Sequence, residues 1–129
     1  MRSVSGSLVV VLVVTACVAA QEVGTPAAVA EHFYQLANDG KCAEARALFT
    51  AESISVLNRT LGQDGFVQFC SEKAGKAPLA SLELRTAQTG AERATVSIMR
   101  TYKDGSMALE SDALVRLGSS WKIMLGVSA

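Results

Sequence analysis

The stretch that decides the fold is ATVSIMRTYKDGSMALESDALVRL, residues 94–117. Ala94, Val96 and Ile98 alternate with Thr95 and Ser97, the period of two that marks a half-buried strand. Met107, Leu109, Ala113, Val115 and Leu117 hold odd positions, with Ser111 the polar exception. Between the two series stands Asp104-Gly105, a two-residue hairpin signal. Read that way it pairs Lys103 with Ser106, Ile98 with Ser111 and Val96 with Ala113, so both apolar sets meet on one face. A one-residue slip would send one set to the other face.

The same alternation extends outward. Downstream, Trp121, Ile123, Leu125 and Val127 are odd, and Gly118-Ser119-Ser120 reads as a three-residue loop pairing Leu117 with Trp121. Upstream, Leu82, Leu84 and Thr86 alternate with Glu83 and Arg85, and Thr89-Gly90-Ala91 pairs Leu84 with Val96. The expectation is a four-stranded antiparallel meander with one apolar face.

Before Leu79 the period is helical. Thr25 can cap and Pro26 suits a first helical position, and Val29, Phe33, Leu36 and Ala37 follow at helical spacing until Asn38-Asp39-Gly40. Residues 42–50 form a shorter helix with Ala43, Ala47 and Leu48 on one face. Residues 51–62 are ambiguous. Asp64-Gly65 opens a third helix, with Phe66, Phe69 and Cys70 sharing a face, that fades at Ala74-Gly75-Lys76. Three helices covering a meander make an α+β layer architecture.

The first 20 residues differ from the rest. Arg2 precedes the apolar run Leu8–Val14, and small residues follow, the form of a secretory signal. Two cleavage readings stand. Val18-Ala19-Ala20 suits ordinary signal peptidase and leaves Gln21 first. Val14-Thr15-Ala16-Cys17 resembles a bacterial lipobox and leaves an acylated Cys17, on a tether through residue 25 to a domain at 25–129. The expected location is therefore the bacterial periplasm or outer membrane, otherwise secretion. Cys42 and Cys70 remain, and an even count in an exported chain favours a disulfide between them.

Composition narrows the function classes. Half of the 129 residues are hydrophobic and 19% are charged, which argues against disorder. Twelve basic residues balance twelve acidic ones, so the basic footprint of a nucleic-acid binder is absent. A single histidine and no CxxC give no metal-site signal. The Walker, GxGxxG, HExxH and GxSxG motifs are also missing, so no cofactor is expected. Asn58-Arg59-Thr60 has the form of a glycosylation acceptor.

The order of elements resembles the nuclear transport factor 2-like (NTF2-like) superfamily, and within it the small bacterial exported and lipoprotein members of unknown function. The resemblance is carried by Thr25-Pro26, Phe33-Tyr34, Leu36-Ala37-Asn38, Gly40-Lys41 and Ala45-Arg46-Ala47-Leu48-Phe49. Leu82, Gly90, Ala94-Thr95-Val96, Asp104-Gly105 and Trp121-Lys122-Ile123 complete it. The family commonly has Asp where Lys41 stands, which weakens the expected cap of the second helix. The resemblance implies a curved sheet wrapped against helices into a cone with a pocket at its open end. The fold does not choose among isomerases, dehydratases, hydrolases, ligand binders and interaction modules.

On the expected inner face lie Thr86, Arg100, Tyr102 and Ser111, with His32 and Tyr34 added from the first helix. Glu83, Glu110 and Asp112 fall on the outer face, so the cone has no carboxylate for acid–base work. His32 lies about 60° from the buried stripe of its helix, at its edge. Arg100 reads either as an anion-binding guanidinium at the pocket mouth or as an arginine snorkelling from the sheet end. Met99 and Met124 fall on the outer face, where a homodimer surface is one expectation. The expected function is a non-enzymatic module binding a small apolar or weakly anionic ligand or an envelope protein. It would touch the membrane only through Cys17. The alternative is an enzyme with a reduced site around His32 and Tyr34. A third reading is a structural component whose cone is filled by its own side chains.

Overall fold

A computed structural model describes residues 24–125. The leader, Cys17 and Val127 lie outside them. Helix α1 (Pro26–Asn38) is followed by a four-residue α2 (Cys42–Ala45), a 3-10 turn (Arg46–Leu48), α3 (Ala51–Leu61) and α4 (Gly65–Lys73). Strands β1 (Leu79–Thr89), β2 (Arg93–Tyr102), β3 (Met107–Leu117) and β4 (Ser120–Met124) follow as one antiparallel sheet in chain order. The α+β architecture and the meander are as the sequence implies. The ambiguous segment 51–62 is helical: the Thr50 hydroxyl accepts from the Ser53 amide and starts α3. Among the described residues no helix is long and apolar enough to cross a membrane.

The Thr25 hydroxyl accepts from the Ala28 amide, and Pro26 opens α1. That helix lays Val29, Ala30, Phe33, Leu36 and Ala37 against the sheet, where Ala94, Val96, Ile98, Leu114 and Ile123 meet them. Phe33 and Phe66 both meet the ring of Phe49 edge-on, with centroids 4.8 and 4.9 Å away. Lys41 supplies no side-chain cap to α2, as its departure from the family pattern implies. Cys42 on α2 and Cys70 on α4 are disulfide-bonded, as expected. The Asn58 carboxamide oxygen accepts from the Phe66 amide at 3.3 Å, so the side chain of the sequon ties α3 to the first turn of α4.

The sheet register differs from the sequence reading at every turn. Tyr102 N–H bonds the Ser106 carbonyl across a three-residue loop, 103–105, in which Gly105 adopts φ +91°. A three-residue hairpin needs a left-handed residue at that place, and Gly105 supplies it. Asp104 accepts from both the Ser106 amide and hydroxyl, which holds the longer loop closed. Thr101 therefore faces Met107, Ile98 faces Glu110 and Val96 faces Asp112. At the next turn the loop is one residue shorter than expected, with Leu117 facing Ser120. The two errors cancel for β4: Ile123 faces Leu114 and stays inside. They do not cancel for β3, whose faces are exchanged. Met107, Leu109 and Leu117 lie outside, exposed by 60%, 59% and 53%, while Glu110 and Asp112 lie inside. A bulge between Leu84 and Thr86 also reverses the far half of β1.

Candidate functional site

The exchanged β3 brings carboxylates to the helix-covered face. Asp112 and Glu110 stand two residues apart on β3, beside Arg100 and Tyr102 on β2. Tyr34 reaches them from α1 and Lys73 from the last turn of α4.

Arg100 is the centre, only 5% exposed. One guanidinium nitrogen, Nη1, donates to the Lys73 carbonyl at 2.6 Å and to the Tyr102 hydroxyl at 2.8 Å. The other, Nη2, donates to Glu110 Oε1 at 3.1 Å. Its carbon lies 4.7 Å from the centroid of the Tyr34 ring, a cation–π contact. The Lys73 carbonyl is an end carbonyl of α4, so the cation also meets the negative end of that helix. Tyr102 donates its own hydroxyl to the same carbonyl at 3.1 Å. Glu110 Oε1 takes a second cation, Lys73 Nζ, at 2.9 Å.

Tyr34 donates to Asp112 Oδ2 at 2.7 Å. Burial, then the charge of Asp112 and this hydrogen bond, push the phenol well above its ordinary range, so it remains a donor. Burial also raises the Asp112 carboxyl above the ordinary carboxylate value; the bond from Tyr34 opposes that shift and Glu110 adds to it. Two cations and two carboxylates thus share one half-buried cluster. Arg100 Nε is, among the described residues, a buried side-chain polar atom left without a partner. Asp112 Oδ1 and Glu110 Oε2 also accept nothing from the described residues, and neither is sealed from solvent.

Arg100, Tyr102 and Tyr34 therefore come together as the sequence reading placed them. The others do not. His32 is exposed on α1 and takes no part. Ser111 faces Ser97 on the outer side of the sheet and bonds its hydroxyl at 2.8 Å. Thr86, beyond the bulge, is exposed and also pairs with Ser97. The expected absence of an inner carboxylate is overturned by Glu110 and Asp112, because the loop at 103–105 has three residues and not two. The apolar face of α4 gives no sign of Lys73, which the fold brings in at the last turn of the helix. One sequence signal did point here: a tyrosine beside Phe33 on a buried helix stripe needs an acceptor for its hydroxyl. Both terminal nitrogens of Arg100 are engaged by Lys73, Tyr102 and Glu110, while its Nε–H has no partner among the described residues.

Three cavities among the described residues lie away from this cluster. One of about 590 Å³ runs between the start of α3 and the ends of β3 and β4. Others, of about 630 and 330 Å³, sit on the face of α3 and beside the β1–β2 turn. Among the described residues no group of three His, Cys, Asp or Glu side chains is placed to hold a metal ion.

No family model matches the sequence, and no curated protein matches it. A structural match does exist. The chain superposes on a Campylobacter jejuni crystal structure provisionally described as an NTF2-like transpeptidase, with TM-score 0.66. The two are 15% identical, and the match covers 78% of this chain and 98% of that one. The chain has the NTF2-like fold. At that identity the fold alone carries over, and the transpeptidase description stays with that protein.

Proposed function

We propose that this protein is an exported, lipid-anchored, non-enzymatic binding module whose cone holds the hydrogen-bonding end of a small ligand. The observation that carries the reading is the pair of acceptor oxygens, Asp112 Oδ1 and Glu110 Oε2, to which the cluster offers no donor. Both open oxygens are acceptors, so the complementary ligand presents donors: a hydroxyl, amide or amine. A carboxylate ligand would meet two carboxylates and is disfavoured. The anchor rests on the leader and its Val14-Thr15-Ala16-Cys17 sequence. A diacylglycerol thioether on Cys17 plus an amide-linked chain would supply the several chains that stable anchoring takes.

Mass spectrometry of the full-length protein from a bacterial host tests both parts. Under native conditions a small molecule should accompany the protein and be absent from the Asp112→Asn/Glu110→Gln variant. An empty wild-type protein refutes the ligand. After denaturation the chain should begin at Cys17 with added acyl mass; a bare chain starting near Gln21 refutes the anchor.

The Tyr34–Asp112 contact favours a second reading, an acid–base enzyme. A carboxyl raised by burial beside a phenol donor is an arrangement used for proton transfer. Under that reading the pair carries the chemistry without His32. A turnover found for the wild type should then fall in both Tyr34→Phe and Asp112→Asn, and survive in His32→Ala.

A further inference from the structure

We propose a second binding site, on the opposite side of the sheet from the Tyr34–Asp112 cluster, that takes a free single-chain carboxylate with an aliphatic tail. The site is the cavity of about 590 Å³ bounded by α3 and by the ends of β3 and β4. Its size falls within the roughly 300–1,000 Å³ typical of small-molecule sites.

The register that turned Glu110 and Asp112 inward turned Val115 and Leu117 outward. Their apolar side chains do not join the main core. Together with Val56 of α3 and Met124 and Leu125 at the end of β4, they give the cavity an apolar wall. Leu117 alone leaves 53% of its surface uncovered, although α3 passes close by. A tail laid along this wall would gain about 0.8 kcal/mol for each buried methylene.

The charges around the wall select the head group. Arg93, directly opposite Val115 on β2, lines the cavity, and its guanidinium has no partner among the described residues. Lys122, opposite Val115 on β4, is not in the lining and donates to the Ala47 carbonyl. Glu52 is the one acidic side chain in the lining. It stands in the first turn of α3, where the positive helix end offsets its charge. The unpartnered Arg93 against one compensated anion favours a carboxylate head, and an arginine binds a carboxylate through paired N–H donors. The proposal is independent of the ligand in the cone.

The test uses equilibrium dialysis of the purified full chain against labelled dodecanoate, held below micelle-forming concentrations. Dodecyltrimethylammonium shares the tail and reverses the head; butyrate keeps the head and shortens the tail. Dodecanoate should saturate at one per chain, at least ten times more tightly than either control. Arg93→Glu and Leu117→Asp, both at exposed positions, should each weaken it at least ten-fold. Asp112→Asn should leave it unchanged, which separates this site from the cone. Absence of saturable binding overturns the proposal. So does equal affinity for the ammonium analogue, indifference to both exposed-site variants, or loss in Asp112→Asn.

Discussion

Replacing Arg100 with methionine tests whether the cluster holds the fold together. The substitution keeps the unbranched stem and removes the guanidinium. Three hydrogen bonds go with it, to the Lys73 carbonyl, the Tyr102 hydroxyl and Glu110, along with the contact over Tyr34. Removing one partner of a buried ion pair costs ~3–5 kcal/mol, because the other charge is left behind. Glu110 is 31% exposed at its side chain and keeps Lys73, which places this case at the low end. The expected loss is about 3 kcal/mol, or on the order of 15 °C in melting temperature for a domain of this size. Urea unfolding followed by circular dichroism measures it, with the slope checked for constancy. Adding Glu110→Gln removes the carboxylate that has lost one of its two cations. The double variant should therefore recover about 1 kcal/mol over the single one, within the range of coupling between contacting residues. A loss under about 1 kcal/mol for Arg100→Met would refute the reasoning. The guanidinium would then be doing no more than an arginine reaching from the sheet end to water.

Three further outcomes are expected. Burial raises the folded Asp112 carboxyl above its ordinary 3.8, so its contribution favours the fold below that pH and is lost as pH rises through the raised folded value. Asp112→Asn keeps an acceptor for Tyr34 and removes the titration, so the variant should gain on the wild type between pH 4 and pH 7 in urea midpoints. The Cys42–Cys70 bridge spans 28 residues, and the Cys42→Ser/Cys70→Ser variant should lose roughly 3–4 kcal/mol by the same measurement. Gly75 has φ +79°, and a Cβ there would stand 2.8 Å from the Tyr102 ring. Gly75→Ala should cost ~1–2 kcal/mol in backbone strain alone, read as a lower melting temperature, with more from the displaced ring.

The parts of the fold legible in the sequence are those with a local cause. Thr25-Pro26 starts α1 because a hydroxyl and a ring pre-set for helix stand together. The 94–98 alternation buries Ala94, Val96 and Ile98 because β2 is a central strand covered on one face. Arg100 and Tyr102 continue that parity inward and were found for the same reason. Segment 51–62 is obscure in the sequence because Ser53, Ser55, Asn58 and Thr60 lower its overall hydrophobicity, although its helical period is stronger than that of α1.

On β3 hydrophobicity does not mark the buried face. The apolar odd positions of β3 are in fact its outer positions, and the loop that decides this differs from the expected one by a single residue. The sequence by itself determined the order of helices before sheet, the Thr25 cap, the parity of β2 and the pairing of cysteines to be expected in an exported chain. Only the tertiary structure decided which face of β3 turns inward. The alternation has a period of two, so its two phases differ by one loop residue, and the hydrogen bonds of Asp104 to Ser106 and the left-handed Gly105 select between them. The interior carboxylates, their partners on three other elements and the outward apolar wall beside α3 all follow from that selection.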